Sequence, residues 1–415
     1  MAHLLLIDVP GGNDFTVMED AVAAGHEVTF VTSDLSHYER QGELTARLLA
    51  LASSVIEVKP FVYERFEEAI LKQHTAKALE AVICLIDIRQ IEASRIAHRL
   101  GLPFLSLETT RLMRDKVNVR QHLHEAGIRQ PAFGLAHSVT DVRAIVADIG
   151  FPVVVKPADG YASQNVSMLK SLADLEAFCI GFETQQLHPT DYGLGVHANN
   201  RFSVERYIEG TLIGCDVFSD GTERILLGVN EKLMFPTPSF AIRGSQFPSS
   251  RFATDAVRDY AFALLDAVDY DFGPAHIEMI VADGVPHLVE INARLVSAQI
   301  PFQMGYALGR SIYIDLIDLH LGIPIKAMLP FDRVGISVIR WIVADRSGTL
   351  EALHLPEPDA NIKRVTLFKQ LGDAVRPPIS NGDRIGYVIA TAATAATATL
   401  SADTYVEDAI LDIAG

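Results

Sequence analysis

Residues 275–295, AHIEMIVADGVPHLVEINARL, contain two apolar runs separated by an Asp-Gly turn signal. This pattern is typical of an antiparallel β-hairpin that buries one face against a core. Two acids, Glu278 and Glu290, lie inside the apolar runs, and Asn292 and Arg294 follow them. The chain must therefore form a sheet that accommodates carboxylates beside a hydrophobic core, which is costly unless cations meet them.

The register of this hairpin decides where the acids point. A three-residue loop, Ala282-Asp283-Gly284, would pair Val281 with Val285 and bring three oxygen-bearing side chains onto one face: Glu278, Glu290 and Asn292. A two-residue Asp-Gly turn would instead place the two acids on opposite faces, because a shift of one residue reverses every side chain. We expect the three-residue loop; a solvated strand face is the alternative explanation of the acids.

Oxygen-only ligands on one face suit Mg²⁺ or Mn²⁺ rather than zinc. Since Mg²⁺ commonly enters proteins bound to phosphates, the hairpin predicts a nucleotide. The candidate phosphate cation is Lys156, which ends the apolar strand of FPVVVKPADG and is followed by a loop that contains Ser163. An ordinary hairpin with a snorkelling lysine is the alternative. Lys116 lies on a predicted helix, where a solvated face is the commoner explanation of a lysine.

Strand-then-helix alternation over residues 1–106 predicts a small parallel α/β domain. A helix is predicted from Thr109 or Thr110 to Gly127, and Ser138 is predicted to begin another. A second α+β unit is predicted over roughly 130–205, and the antiparallel strands that follow it form a sheet that the hairpin closes. A small C-terminal unit of short strands is predicted to end in a helix, YVEDAILDIA. PGGND, after the first strand, lacks the G-x-G-x-x-G pattern, so a plain turn is favoured over a phosphate loop.

Composition excludes several classes of protein. The formal charge of −17 repels nucleic-acid backbones, and no apolar run approaches the roughly 18 residues of a membrane span. The three cysteines lack metal or disulfide spacing, and a P-loop motif is absent. The N-terminus resembles a first strand rather than a signal peptide, which predicts a cytoplasmic protein.

Four motifs in order, "RDK…R", "FPVVVKPADG…S", "VERYIEG" and "HIEM…VEINARL", resemble the ATP-grasp superfamily, and the chain looks closest to its carboxylate–amine ligases of the L-amino-acid ligase type. The resemblance covers about 105–325 and implies an α/β fold of α+β subdomains. It divides the chain into five parts: an N-terminal α/β domain (1–106), a linking helical region (107–129), a small lid subdomain (130–205), a large subdomain with the metal site (206–330) and a C-terminal β-rich extension (331–415).

The resemblance also implies roles for individual residues. Lys116, Lys156 and Ser163, the last in the lid loop 159–165, would contact the phosphates of ATP. Glu205 and the backbone of Arg206 and Ile208 would contact the adenine or its surroundings. Glu278, Glu290 and Asn292 would hold one or two Mg²⁺ or Mn²⁺ ions, and Arg294 would steady the transferred phosphoryl group. A surface salt bridge is the alternative role of Arg294.

Some positions depart from the family pattern. Asn165 stands where many relatives have glycine, and Ile242 and Ser245 stand where dipeptide-forming relatives tend to have an acid and a histidine. Val296-Ser297-Ala298 replaces a glycine-rich step. Amino-acid specificity therefore cannot be transferred from the resemblance.

The expected activity is ATP-dependent phosphorylation of a carboxylate, followed by attack of an amine to give an amide or dipeptide, ADP and phosphate. The expected partners are an amino acid and a small carboxylic acid, with neither nucleic acid nor membrane, and a homodimer is left open. A bicarbonate-activating enzyme resembling biotin carboxylases or purine-pathway carboxylases is the alternative. A non-catalytic nucleotide-binding protein is disfavoured by the intact set of lysines, acids, Asn292 and Arg294.

Overall fold

The computed structural model describes residues 1–9, 16–40, 43–158, 166–184, 201–236, 241–297 and 299–415. PGGND, the lid loop 159–165 with Ser163, and Ala298 lie outside the described residues. Four sheets organise the described chain. Within these ranges, no helix combines the length and apolarity that crossing a bilayer demands.

The N-terminal part is the parallel α/β unit that the alternation predicts. Its sheet has the order β3-β2-β1-β4 with every described pairing parallel: β1 (His3–Ile7), β2 (Glu27–Thr32), β3 (Ser54–Glu57) and β4 (Ala81–Cys84). The helices between and after these strands are α1 (Val17–Ala23), α2 (Leu35–Glu39), α3 (Glu43–Leu49), α4 (Tyr63–Ala76) and α5 (Gln90–Leu100). Successive residues of β1 point to opposite faces of the sheet, and both faces are buried, as is usual for a parallel sheet.

The single helix predicted to run from Thr109 or Thr110 to Gly127 is wrong, because two helices occupy this region. They are α6 (Leu107–Met113) and α7 (Lys116–Glu125). The Asp115 carboxylate accepts hydrogen bonds from the backbone amides of Val117 and Asn118, which is the geometry of an N-cap. The cap begins a new helix and sets Lys116 at its first position.

A second sheet has the order β5-β8-β6-β7 and is antiparallel throughout. Its strands are β5 (Phe133–Ala136), β6 (Val153–Pro157), β7 (Ser167–Leu169) and β8 (Phe202–Arg206), and its helices are α8 (Val139–Ile149) and α9 (Leu172–Thr184). Ser138 caps α8 by accepting from the Asp141 amide, as predicted. This sheet places Lys156 and Glu205 on neighbouring strands.

The largest sheet has eight strands in the order β13-β12-β9-β10-β11-β14-β18-β16. They are β9 (Thr211–Asp220), β10 (Arg224–Met234), β11 (Ile242–Phe247), β12 (Phe272–Ala282), β13 (Val285–Asn292), β14 (Ile336–Val343), β16 (Ile362–Leu367) and β18 (Arg384–Ala392). Its helices are α10 (Asp255–Ala267), α11 (Ile300–Leu308), α12 (Ile312–His320), α13 (Ile325–Met328) and α14 (Ala395–Glu407). Because β11 pairs with β14, the C-terminal strands extend the same sheet that carries the hairpin.

The terminal helix predicted for residues 405–414 is wrong after Glu407. Helix α14 ends at Glu407, and Ile410–Ala414 forms β19, which pairs with β15 (Gly348–His354) in a small sheet that also contains β17 (Ala374–Val375). Ile413 is buried against Leu350, so the alternation of a half-buried strand outweighs the helical appearance of the segment.

Candidate active site

The hairpin turn has two residues, so the predicted three-residue loop is wrong. Ala282 pairs with Val285, and Asp283 and Gly284 form the turn with φ of 49° and 78°. A two-residue turn of the primed type needs positive φ at both central positions, which Asp-Gly supplies readily. By this turn alone, Glu278 and Glu290 would point to opposite faces.

A β-bulge in β13 brings the two acids back together. Met279 pairs with Leu288 but Glu278 pairs with Glu290, so Val289 is an extra residue between these two pairs. Beyond the bulge, His276 faces Asn292. The structure therefore places Glu278, Glu290 and Asn292 on one face, by a bulge rather than by the loop length that we expected.

The backbone of the bulge faces two cations. The Val289 carbonyl accepts a hydrogen bond from Arg120 Nη2 at 3.0 Å and another from Lys156 Nζ at 3.2 Å. Arg120 also donates to the Leu288 carbonyl at 2.9 Å. The irregular backbone is thus held by the cations of α7 and β6, which ties the hairpin to the second sheet.

The same cations form a buried ion cluster with Glu205. Its carboxylate lies 2.7 Å from Arg120 Nη2 and 3.0 Å from Lys156 Nζ, and Ser203 donates to its other oxygen at 2.6 Å. Burial by itself raises the pKa of Glu205, but Arg120 and Lys156 outweigh it and lower the pKa to about 2. Burial also lowers the pKa of Lys156, and Glu205 opposes that effect.

Glu278 is held by a second set of charges. Lys232 forms an ion pair with its Oε1, and His276 Nε2 lies 3.5 Å from the same oxygen. The other ring nitrogen, His276 Nδ1, is 2.9 Å from Asp216 Oδ1. Burial raises the pKa of Glu278, yet Lys232 and His276 together hold it well below its usual range, so this carboxylate is ionised.

The imidazole of His276 lies over Gly214, the residue opposite Glu278 on β9. A Cβ atom at Gly214 would meet His276 Cε1 at 2.6 Å, closer than van der Waals contact allows. The missing side chain is what lets the ring reach both Asp216 and Glu278. His276 is therefore placed to fix the orientation of Glu278.

Glu290 has its own cation. Lys116 Nζ is 3.3 Å from Glu290 Oε2, and Asn292 Nδ2 donates to Glu290 Oε1 at 3.1 Å. Two carboxylates directly opposite on neighbouring strands repel each other unless positive charge lies between or beside them. Here Lys116 and Lys232 supply that charge, one for each acid.

A cavity of about 210 Å³ lies between the second sheet and the hairpin end of the large sheet. Its floor is apolar, and its polar lining includes Lys116, Lys156, Glu205, Glu278 and Glu290. The apolar members of the lining come from both sheets and from the segment that joins them: Val154, Ile208, Leu212, Met234, Ile280 and Leu288. An apolar slot that opens on lysines and carboxylates suits a planar ring attached to an anionic group.

The joining segment after β8 presents backbone groups to this cavity. The amide of Arg206 donates to the Ala132 carbonyl, and the amide of Tyr207 donates to the Pro152 carbonyl. Ile208 lines the cavity, and its backbone makes no hydrogen bond with another backbone group of the described chain. This segment can therefore offer hydrogen bonds to a ring bound between the sheets.

Arg294 is not among the described residues that line the cavity. Its Nε and Nη2 lie 2.8 and 2.7 Å from Asp87 Oδ2, and its Nη1 donates to the Leu295 carbonyl. Asp87 follows β4, so this ion pair joins the N-terminal sheet to the end of the hairpin. Burial raises the pKa of Asp87, and Arg294 and Arg114 reverse the effect.

Sequence reasoning missed four charged residues of the site: Arg120, Asp216, Lys232 and His276. Arg120 lies one helical turn after Lys116, which places both on one face of α7. Lys232 lies in an apolar strand, as Lys156 does, and the same reasoning could have identified it. Asp216 and His276 gave no local signal, because their partners are distant in the sequence.

A divalent cation such as Mg²⁺ needs several oxygen donors that converge on one point. Among the described residues, no group of three or more His, Cys, Asp and Glu side chains is placed to hold a metal. Glu278 and Glu290 nevertheless face each other with Asn292 beside them, and all three carry hard oxygen donors. The set fits Mg²⁺ or Mn²⁺, and Lys116 and Lys232 balance the charge of the carboxylates.

Two family models match this sequence. The ATP-grasp domain model matches residues 149–301, and the model for L-amino acid ligase C-terminal domain 2 matches residues 340–409. The first range contains Lys156, Glu205 and the hairpin. The second contains β18 and the whole of α14.

Similar proteins are found by sequence and by structure. The uncharacterized protein y4rH of Sinorhizobium fredii is 29% identical over 330 residues, which are 77% of this chain and 64% of that protein. The chain thus spans less than two thirds of this relative. An L-amino acid ligase from Bacillus licheniformis superimposes with a TM-score of 0.80 at 17% identity, covering 100% of this chain and 99% of the other. A biotin carboxylase from Campylobacter jejuni gives 0.71 at 17% identity, covering 100% and 92%.

Proposed function

We propose that this chain is an ATP-dependent carboxylate–amine ligase. The premise is that it has the predicted ATP-grasp fold and carries an ATP-grasp domain followed by an L-amino acid ligase C-terminal domain. It joins an amino acid or small carboxylic acid to the amine of an amino acid and releases ADP and phosphate. The charge of −17 fits small-molecule substrates rather than nucleic acid, and we place the enzyme in the cytoplasm, with a homodimer left open.

The nucleotide is proposed to occupy the cavity between the two sheets. The adenine lies on the apolar floor, and the backbone carbonyl of Arg206 and amide of Ile208 hydrogen-bond its edge. Lys116 and Lys156 line the same cavity from α7 and β6, and they bind the phosphates. Glu205 keeps Lys156 and Arg120 in place beneath the nucleotide. Ser163, in the loop 159–165 outside the described residues, is proposed to contact the phosphates, as the resemblance implies.

Glu278, Glu290 and Asn292 are the residues that would hold Mg²⁺ or Mn²⁺. When bound, the metal ion neutralises charge on the phosphates. Lys116 and Lys232 pair with the two acids and can also contact anionic substrate groups. Asp216 and His276 hold Glu278 in the orientation that this arrangement needs.

The proposed chemistry has two steps. An oxygen of the substrate carboxylate attacks the γ-phosphorus, the bond from that phosphorus to the β–γ bridging oxygen breaks, and ADP leaves with the bonding electrons. The amine nitrogen then attacks the carbonyl carbon of the acyl phosphate, the bond to the phosphate oxygen breaks, and the nitrogen loses a proton to solvent. Arg294 neutralises charge on the transferred phosphoryl group, and Asp87 positions Arg294.

The observation that carries this proposal is the convergence of two lysines and two opposed carboxylates on one apolar cavity. Its test is a screen of amino acids and small acids, in pairs, with ATP and Mg²⁺. We expect phosphate release that requires both members of a pair, together with a product whose mass equals the sum of the pair minus water. Replacing Glu290 by Ala should abolish this activity, and full activity in that variant would remove the metal assignment.

Bicarbonate activation is the second candidate, since the biotin carboxylase shares the fold over 100% of this chain and 92% of its own. The discriminating result is phosphate release that depends on bicarbonate and is indifferent to amino acids. We favour the amine ligase because residues 340–409 match the L-amino acid ligase C-terminal domain.

A further inference from the structure

Helices α4 and α5 of the N-terminal unit lie side by side and run in the same direction. Near their starts, Arg95 Cζ lies 3.2 Å from the ring centre of Tyr63. Four residues further along each helix, Arg99 Nε lies 3.8 Å from Glu67 Oε1. Both helices follow strands of the parallel sheet, so both begin at its carboxyl edge, where open α/β sheets commonly bind ligands. The positive ends of the two helix dipoles are therefore next to each other.

Neither of these two helices is capped by the side chain of its N-cap residue. That residue is Val62 in α4 and Arg89 in α5, and within the described chain neither side chain accepts a hydrogen bond from the amides that follow. By contrast, the N-cap side chains of α7, α8, α10, α12 and α14 each accept such a bond. The shared end of α4 and α5 thus has amide donors and positive dipole ends without the usual acceptor from an N-cap side chain.

A buried arginine lies between these two helix ends. Arg89 begins α5, and its Cζ lies 3.5 Å from the ring centre of Phe61, the residue before the N-cap of α4. Arg89 is only 4% exposed. Burial lowers its pKa, and Glu92 opposes this effect without reversing it. A positive charge at the start of a helix is also repelled by the helix dipole, so the position of this arginine is unfavourable unless an anion joins it.

One edge of the Arg89 guanidinium makes no hydrogen bond. Nη1 lies 3.4 Å from Glu92 Oε1, whereas Nε and Nη2 are both buried with no hydrogen-bond partner among the described residues. These two nitrogens lie on the same edge and form the fork that binds a carboxylate or a phosphate through two parallel hydrogen bonds. Arg120, which is buried as deeply, pairs with Glu205 at 2.7 Å. An unpaired fork inside a protein is costly, so it indicates a ligand that supplies two oxygens.

We propose that a small oxyanion, a phosphate or a carboxylate, binds where α4 and α5 begin, on the Nε and Nη2 fork of Arg89. The first-turn amides and the dipole ends of both helices add to the attraction. Phe61 covers one face of the guanidinium and is only partly buried, and its neighbours Pro60 and Val62 are exposed, so a movement of this segment admits the anion. The site is separate from the nucleotide cavity, since neither Arg89 nor Phe61 is among the described residues that line that cavity.

Hydrogen exchange of the unaltered full chain, followed by mass spectrometry, tests the site. Inorganic phosphate and acetate are added separately, and sodium chloride keeps the ionic strength constant. We expect slower exchange in peptides that cover residues 60–66 and 88–94, and no change at the start of α10, which Thr254 caps. Protection by phosphate alone identifies a phosphate ligand, and protection by acetate as well extends the ligand to carboxylates. Exchange at 60–66 and 88–94 that neither anion slows relative to chloride would overturn the proposal.

Substitution of Arg89 tests whether its fork is responsible for this protection. In R89Q the anion concentration for half-maximal protection should rise about 10- to 100-fold, the range for hydrogen bonds to a charged group. R89K keeps the charge without the fork and should show a smaller rise. R95Q is the matched control, because Arg95 also lies on α5 and stacks on an aromatic ring of α4, and it should behave as the unaltered chain.

The same half-maximal concentration in R89Q and in the unaltered chain would contradict the role of the fork. If R89Q does not fold, R89K and R95Q decide the question. Weaker protection in R89K than in R95Q supports the proposal, and equal protection in these two variants overturns it.

Discussion

Lys156 is the residue at which the two sheets of the site meet. Its ammonium group contacts Glu205 on the neighbouring strand and the Val289 carbonyl of the hairpin bulge, and it lines the cavity. Glu205 is shared between Lys156 and Arg120, so one carboxylate faces two positive charges. The excess positive charge is available for an anionic ligand. Its sequence signal, a lysine at the end of an apolar strand, pointed to this role.

Replacing Lys156 by Met should leave the fold intact, because Arg120 still neutralises Glu205. We expect ATP affinity, measured by calorimetry, to fall at least about 100-fold as two charge-assisted contacts are lost. Lys363→Met, which removes an exposed lysine bonded to the Ala360 carbonyl, is the control and should bind ATP normally. Undiminished ATP binding by the Lys156 variant would contradict its phosphate role.

Glu205 should contribute to stability in a pH-dependent way. Its pKa of about 2 in the folded chain lies below the ordinary value of 4.5, so the contribution is complete above pH 4.5 and is lost as the pH falls toward 2. Glu205→Gln should therefore lower the free energy of unfolding by about 3 to 5 kcal/mol at pH 7, because it leaves two buried cations unbalanced. Urea unfolding at pH 7 and pH 3 measures this, and a difference that does not shrink at pH 3 would refute it.

The sequence of the β12–β13 hairpin predicts its strands and its turn but not its bulge. Alternation and Asp-Gly indicated two strands and a turn, and the acids indicated a site. The bulge at Val289 left no local signal, because its carbonyl is bound by Arg120 and Lys156, residues more than a hundred positions away. The shared face of Glu278 and Glu290 was thus expected for the wrong reason.

Substitution of Gly214 tests whether His276 positions Glu278 on this face. In Gly214→Ala the new Cβ would clash with His276 Cε1 at 2.6 Å, so the ring must leave its place between Asp216 and Glu278. We expect Mn²⁺ affinity, followed by electron paramagnetic resonance, to weaken about tenfold, and stability to fall by about 1 to 3 kcal/mol from overpacking.

Gly181→Ala is the control for that substitution, since a Cβ there meets no atom of the described residues within 4 Å and Gly181 lies in α9. It should leave Mn²⁺ binding unchanged. A loss of stability in Gly214→Ala without any change in Mn²⁺ affinity would show that His276 does not position Glu278.

His320 lies where the N-terminal unit packs on the large sheet. Its ring lies 5.4 Å from that of Phe104 and 5.5 Å from that of Phe272, centroid to centroid. Burial lowers its pKa to about 4, so the folded chain holds it neutral at pH values where the unfolded chain, with a pKa of 6.5, takes up a proton.

Its effect on stability follows from that difference. Stability is complete above pH 6.5 and falls as the pH drops toward 4, by about 3 kcal/mol for this residue. His320→Leu should remove this component, so its free energy of unfolding should decline less steeply than that of the unaltered chain. Parallel declines in urea titrations from pH 7 to pH 4 would contradict the assignment.

The assembly of the sheets was only partly accessible from the sequence. The N-terminal parallel unit follows from local alternation. The pairing of β11 with β14 joins segments about ninety residues apart in the chain, and no local pattern encodes it. For the same reason the C-terminal strands looked like a separate unit, although they extend the sheet that carries Glu278.

A pairwise screen of acids and amino acids with ATP and Mg²⁺, scored together for ADP, phosphate and product mass, decides whether this chain is an amide-forming ligase. We predict equal amounts of ADP, phosphate and amide, formed only when a carboxylic acid and an amino acid with a free amine are both present. Phosphate release that requires bicarbonate and proceeds equally without any amino acid would contradict it.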